Sequence, residues 1–184
     1  MLMLEREVKL RFDSPDDARA AIIGAGATPL RCRRLQEDAL LDTEDETIRR
    51  RRSVLRIRTE SGKSLLTFKG PVQPGSMKLR EEQETVVGDG EVLLTVFQEL
   101  GLHVWFRYEK YREEYTAEDV TVALDETPLG TFVEIEGSEG GILAMTTALG
   151  RTPADFIVES YRTLFVAHCS RLGLSGGDML FPPE

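Results

Sequence analysis

The sequence predicts an α+β fold, an eight-stranded antiparallel β-barrel with helices packed on the outside, and three observations carry that reading. Residues 4–12 alternate strictly, placing Leu4, Arg6, Val8, Leu10 and Phe12 on one face and Glu5, Glu7, Lys9 and Arg11 on the other. Seven further alternating or β-rich runs follow, joined mostly by short turns that favour antiparallel hairpins over crossover units. The polar faces of these runs carry charges of both signs, where a plain wet face would be expected to mix in Ser, Thr, Asn and Gln.

After the first strand, Ser14 supplies a capping hydroxyl, Pro15 a preset first helical position, and Asp16 and Asp17 first-turn acids, so a helix should run through ARAAIIGAGA to Gly24 or Gly26. Strands are then expected at 35–42, 54–60, 64–69, 77–87, 103–116, 119–125 and 130–136. Glu60-Ser61-Gly62-Lys63 and Asp125-Glu126-Thr127-Pro128 are among the turn signals. Between the fifth and sixth strands, residues 90–100 read as a helix capped by Asp89, with Val92, Leu93, Val96, Phe97 and Leu100 forming its apolar face. Helices are expected at 141–149 and 160–171, with a cap signal at Thr152-Pro153. One domain spans 1–172, and the tail 173–184 lacks periodicity and is expected to be poorly ordered.

Bulk properties narrow the function. The chain has 184 residues, enough for one sizeable core, and 30% of them are charged. A formal net charge of −9 argues against a general nucleic-acid binder, which would present a basic surface to phosphates. Cys32 and Cys169 are too few for a disulfide framework. The charge-interrupted start MLMLEREVKLRF does not read as an export signal, and no later run has the ~18 apolar residues of a membrane span. The expectation is a cytoplasmic protein without membrane or nucleic-acid partners. The run Arg49–Arg52 reads first as a solvated loop and alternatively as a positive rim that steers an anion. His103 and His168 stand alone, and Trp105 and Tyr111 are expected to pack on the barrel wall.

Glu5, Glu7 and Lys9 share a face, as do Arg56 with Arg58, Lys78 with Arg80, Glu82 and Glu84, Lys110 with Arg112, and Glu134 with Glu136; Lys69 and Asp125 fall at strand ends. The opposite faces carry Val8, Leu10, Leu55, Ile57, Val133 and Ile135, which need a dry partner. If helices cover those apolar faces, the charged faces must turn inward and line a tunnel. Charges inside a protein are tolerated when they pair or bind ions. Clustered carboxylates suit Mg²⁺ or Mn²⁺, clustered Lys and Arg suit an anion, and a metal-bound triphosphate satisfies both.

The ordered motifs strengthen this reading. Glu5-Arg6-Glu7-Val8-Lys9 is followed by Leu55-Arg56-Ile57-Arg58, Leu66-Thr67-Phe68-Lys69-Gly70-Pro71 and Arg80-Glu81-Glu82-Gln83-Glu84. Then come Lys110-Tyr111-Arg112, Leu124-Asp125, Leu129-Gly130-Thr131-Phe132-Val133-Glu134-Ile135-Glu136 and the closing Ser160-Tyr161-Arg162-Thr163-Leu164. This set resembles the CYTH, or triphosphate tunnel, superfamily, which includes class IV adenylyl cyclases and thiamine triphosphatases. The resemblance implies metal ligands at Glu5, Glu7, Glu134 and Glu136, assisted by Asp125 and by Glu82 or Glu84. It implies a phosphate cradle at Lys9, Arg56, Arg58, Lys69, Lys78, Arg80, Lys110 and Arg112, with Glu7, Lys9, Lys69, Lys110 and Arg112 nearest the chemistry.

The activity expected from that resemblance is hydrolysis of a triphosphate-containing small molecule (inorganic, nucleoside or thiamine triphosphate) by a monomer or homodimer using Mg²⁺ or Mn²⁺. Cyclisation of ATP to cyclic AMP and pyrophosphate is the alternative, and a non-catalytic polyphosphate or nucleotide sensor a third. Two departures favour hydrolysis. Gln36-Glu37-Asp38-Ala39-Leu40-Leu41-Asp42 lacks the aromatic pair that relatives often carry after Gln-x-Asp, and the four residues before Glu5 hold no His-Phe such as well-defined cyclases carry.

Overall fold

A computed structural model describes residues 3–182. Eight strands, β1 (Met3–Phe12), β2 (Thr28–Thr43), β3 (Val54–Glu60), β4 (Lys63–Lys69), β5 (Lys78–Val87), β6 (Leu102–Ala117), β7 (Val120–Thr127) and β8 (Gly130–Gly137), close into one barrel. The order around the barrel is β1-β5-β4-β3-β2-β6-β7-β8, and every neighbouring pair is antiparallel. Closure through the β1–β8 pairing sets Glu7 opposite Glu136 and Lys9 opposite Glu134. All eight expected strands are present. Strand β2 begins seven residues before the expected 35, because Thr28–Arg34 carries arginines that hide its strand character. That segment pairs with the distal half of β6 through two register shifts.

Five α-helices among the described residues accompany the barrel: α1 (Pro15–Gly24), α2 (Thr47–Arg50), α3 (Gly90–Glu99), α4 (Glu139–Ala148) and α5 (Tyr161–Leu172). The expected caps form: Ser14 accepts from the Asp17 amide at 3.1 Å, Asp89 from the Glu91 and Val92 amides at 3.0 Å, and at the Thr152 cap signal Asp155 accepts from the Thr152 amide at 2.8 Å. Ser160, expected inside the last helix, caps it instead, accepting from the Thr163 amide at 3.1 Å. The short α2 was not expected; Asp42 accepts the Ile48 and Arg49 amides and the Arg49 guanidinium, which turns the basic run into one helical turn.

The apolar faces point outward into helices, as the alternation required. Val8, Leu10, Phe12, Val122, Leu124, Val133 and Ile135 pack with Ala18 and Ile22 of α1 and Ile142 and Met145 of α4. Leu41 and Ile57 pack with Leu94 of α3. Burying each such aliphatic side chain contributes about 1.5–3 kcal/mol, so these two clusters hold the barrel open against the cost of its charged lining. A third cluster lies at one end of the barrel. Leu40, Phe106 and Phe132 stand on the same strand faces as the charged residues and meet Tyr161, Leu164 and Phe165 of α5, so that end is plugged by α5. Met179, fully buried, joins it from the tail, bridging to Tyr108 while its amide and carbonyl pair with Arg107 and Glu109 of β6. No helix among the described residues is long and apolar enough to cross a membrane.

Candidate functional site

The barrel encloses a cavity of about 1320 Å³ whose wall includes Glu5, Glu7, Lys9, Arg56, Arg58, Lys69, Lys78, Arg80, Glu82, Glu84, Lys110, Arg112, Glu134 and Glu136. Fourteen residues named from the sequence thus face one space. Asp125 lies behind that wall, fully buried, against Lys110 and Arg112.

The charges sort into two regions. Towards the plugged end the balance favours cations held in place by buried carboxylates. Asp125 accepts from Lys110 Nζ at 2.8 Å, from Arg112 at 2.6 and 2.7 Å, and from the Tyr161 hydroxyl at 2.7 Å. Glu134 takes Arg112 as well and lies 3.3 Å from Lys9 Nζ. On the opposite wall Asp38 accepts two bonds from Arg58, at 2.9 and 3.1 Å, and lies 3.3 Å from Arg56. Against the burial that would raise them, Lys110, Arg112 and Lys9 hold Glu134, and Arg58 and Arg56 hold Asp38, below the ordinary carboxylate range. Burial, together with the Arg112 charge, pushes Lys110 down to about 8, and burial does the same to Lys78 although it donates to Glu7. The Nε atoms of Arg56 and Arg80 are buried without a hydrogen-bond acceptor among the described residues. A wall of buried, incompletely satisfied cations is a seat for an anion.

Around Glu5 the excess is negative. Lys69 Nζ sits 2.7 Å from both Glu5 and Glu82, and Arg80 lies 3.7 Å from Glu5. Lys69 does not neutralise Glu5: burial and the neighbouring Glu7 and Glu82 charges raise it, with Lys69 opposing. Against burial, the Glu5 contact and Lys69 hold Glu82 below the ordinary carboxylate range, and Lys9 and Lys78 do the same for Glu7. Glu136 has no ion pair among the described residues, and burial with the charges of Glu5 and Glu7 pushes it up to about 7. As the side chains stand, no three acids among the described residues surround a common point closely enough to ligate an ion. Even so, the donor set of hard carboxylate oxygens, with Glu5 and Glu136 raised by burial and by their acidic neighbours, fits a divalent cation, and the Lys69 ammonium between Glu5 and Glu82 stands where countercharge is needed. Glu84 is turned away from this group, accepting from Thr67 at 2.8 Å and approaching Arg56 at 3.5 Å.

Three aromatic residues of the site were missed in the sequence. Tyr108 lies beside Asp38 and lines the cavity; Tyr161 enters from α5; and Trp105, expected on the barrel wall, borders the cavity beside the α5 cluster, with the Arg49 and Arg162 guanidiniums 4.1 and 4.6 Å from its ring. The strand face of Tyr108 was available from its even spacing to Lys110 and Arg112; the approach of α5 had no local signal. Of the basic run, Arg50, Arg51 and Arg52 are exposed, and Arg49 and Arg52 border the same cavity.

A closed antiparallel barrel with a buried two-signed lining defines a tunnel protein for a highly charged ligand. Comparison places it further: the CYTH domain family matches residues 3–148, and the chain belongs to that family. A protein of Methanocaldococcus jannaschii provisionally named an adenylate cyclase is 32% identical over 137 residues, 74% of this chain and 78% of that protein. A structure from Vibrio parahaemolyticus, also provisionally named an adenylate cyclase, superposes with a TM-score of 0.78 at 17% identity, covering 90% of this chain and 99% of that one. A Hippeastrum protein described as a provisional adenylyl cyclase with a dominant triphosphatase activity superposes with a TM-score of 0.65 at 18% identity, covering 96% and 98%. The CYTH fold binds triphosphate substrates, and its members are enzymes that generally depend on a divalent metal.

Proposed function

We propose that this protein hydrolyses a triphosphate-containing small molecule inside its tunnel. One observation carries the reading: a single cavity joins buried cations with unfilled hydrogen-bonding capacity to carboxylates whose mutual repulsion calls for a divalent cation. Lys9, Lys69, Lys78, Arg80, Lys110 and Arg112, with Arg56 and Arg58 across the tunnel, would spread their charge along the phosphate chain. Fixed charges aimed at developing charge are the largest contribution a protein makes to phosphoryl transfer. We assign the holding of Mg²⁺ or Mn²⁺ to Glu5, Glu7, Glu82 and Glu136; when bound, the ion would neutralise phosphate oxygens and acidify a water molecule. Asp125 and Glu134, called as metal ligands from the sequence, are assigned here chiefly to anchoring Lys110 and Arg112. Glu84 is assigned to fixing Thr67 and Arg56.

A second reading, cyclisation of ATP, is favoured by the name of the Methanocaldococcus jannaschii relative. It would use the same walls and differ only in the nucleophile and the phosphorus attacked. The test is incubation of purified protein with inorganic triphosphate, ATP and thiamine triphosphate, each with Mg²⁺ or Mn²⁺, and identification of the products. Release of orthophosphate supports hydrolysis; cyclic AMP with pyrophosphate replaces it with the second reading; absence of any product leaves a sensor. Glu7→Gln should abolish metal-dependent turnover, and full activity in that variant would refute the ligand assignment.

A further inference from the structure

Tyr161 is the first residue of α5, 6% exposed, and belongs to none of the charged strand faces. Its hydroxyl donates to Asp125 Oδ2 at 2.7 Å. Its ring centroid lies 5.2 Å from Lys9 Nζ and 5.1 Å from Lys110 Nζ, and Phe132 braces it edge-on at 5.3 Å. One side chain from outside the barrel therefore touches two tunnel cations and the carboxylate that restrains one of them.

The chemistry of those contacts differs from an ion pair in a useful way. A carboxylate draws an ammonium into a short directional bond and uses up a donor; an aromatic face attracts it diffusely and leaves the N–H groups free. Lys110 gives one bond to Asp125, and Lys9 is held by Glu7 and Glu134 only at 3.6 and 3.3 Å. With the ring beneath both, each ammonium is fixed in place while keeping donors for a phosphate oxygen. The hydroxyl meanwhile fills a lone pair of Asp125 without adding charge, which lessens that carboxylate's pull on Lys110.

We propose that Tyr161 is a positioning residue of the anion-binding wall: its ring seats the Lys9 and Lys110 ammonium groups and its hydroxyl occupies Asp125, so that α5 completes the phosphate site. The inference rests on the tunnel being the triphosphate site. It also gives α5 a role beyond closing the barrel end, since withdrawal of the helix would remove the seat of two cations at once.

The test measures affinity for inorganic triphosphate by calorimetry without metal, together with KM and kcat in the presence of Mg²⁺, for wild type, Tyr161→Phe, Tyr161→Leu and Leu164→Ala. Leu164 packs in the same apolar cluster and serves as the control for lost packing. Tyr161→Leu should weaken binding on the order of tenfold and raise KM with little change in kcat. Tyr161→Phe, which keeps the ring, should stay within about threefold of wild type, and Leu164→Ala should lower Tm while leaving affinity unchanged. If Tyr161→Leu does not fold, Tyr161→Met, whose flexible chain fills irregular gaps without a ring, is read in its place. Wild-type affinity in the ringless variant, or an equal loss of affinity in Leu164→Ala at equal loss of Tm, overturns the proposal. Binding without turnover in wild type would refute the hydrolase reading and leave this inference to be decided by calorimetry; no binding in wild type overturns both.

Discussion

Replacing Glu136 by Gln should make the metal-free protein more stable at pH 8 while impairing its metal-dependent activity. The magnitude follows from the site. Burial beside Glu5 and Glu7 raises the carboxyl from an ordinary 4.5 to about 7, so the folded chain resists its ionisation. A dry site would convert that difference to about 3 kcal/mol, at about 1.4 kcal/mol per tenfold. Glu136 is only partly withdrawn from water, so screening reduces the gain from neutralising it to about 1 kcal/mol. The sign is opposite to that of a salt-bridged acid. Between pH 4.5 and 7 the folded state binds more protons than the unfolded one, so this group's contribution worsens as pH rises and stays unfavourable above 7. Urea unfolding of wild type and Glu136→Gln at pH 8 should therefore differ by about 1 kcal/mol in favour of the variant, or roughly 2–4 °C in Tm. At pH 4 the two should coincide. Saturating Mg²⁺ should stabilise wild type more than the variant. A variant no more stable than wild type at pH 8 would show that the carboxylates around Glu5 do not repel one another and would remove the reason to place a cation there.

Asp125→Asn should act in the other direction. It turns amide donors towards Lys110, Arg112 and Tyr161 and leaves buried cations uncompensated, at a cost of about 3 kcal/mol, measurable as a fall in Tm of roughly 6–12 °C. A fall of less than about 2 °C would refute its anchoring role. The pH profile of kcat/KM for triphosphate should be bell-shaped. Below about 7 Glu136 is protonated and no longer serves a cation, and above about 8 Lys78 and Lys110 lose the charge that serves the anion. A rate that keeps rising beyond pH 9 would be inconsistent with an anion seat built on those two lysines.

Much of this molecule is legible locally. Strict alternation in residues 4–12 separates Val8 and Leu10 from Glu7 and Lys9, and the structure sends the first pair into α1 and α4 and the second into the tunnel. The same period-two arithmetic places Arg56, Arg58, Lys69, Arg80, Lys110 and Glu134 on the cavity wall, because a strand allows only two faces and apolar residues occupy the other. Caps at Ser14 and Asp89 were readable because each satisfies amides within three residues of itself. Strand β2 was shortened by the reading because Arg31, Arg33 and Arg34 make it look like a loop; their partners Glu60, Glu114 and Glu126 lie on strands that come alongside only when the barrel closes.

The order of residue types along the chain is enough to list the charged residues that must turn inward and the kind of ligand such a list can accept. How those charges pair is set only when the barrel closes. Asp125 and Glu134 gather Lys110 and Arg112, while Glu136 is left beside Glu5 and Glu7 with no ion pair among the described residues, although Glu134 and Glu136 stand two positions apart on one strand face. Sequence spacing sets the face on which a charge stands, but its ionisation and its partner depend on distances across the barrel. Those distances follow from strand order and register, and from α5 bringing Tyr161 into contact with Lys9, Lys110 and Asp125.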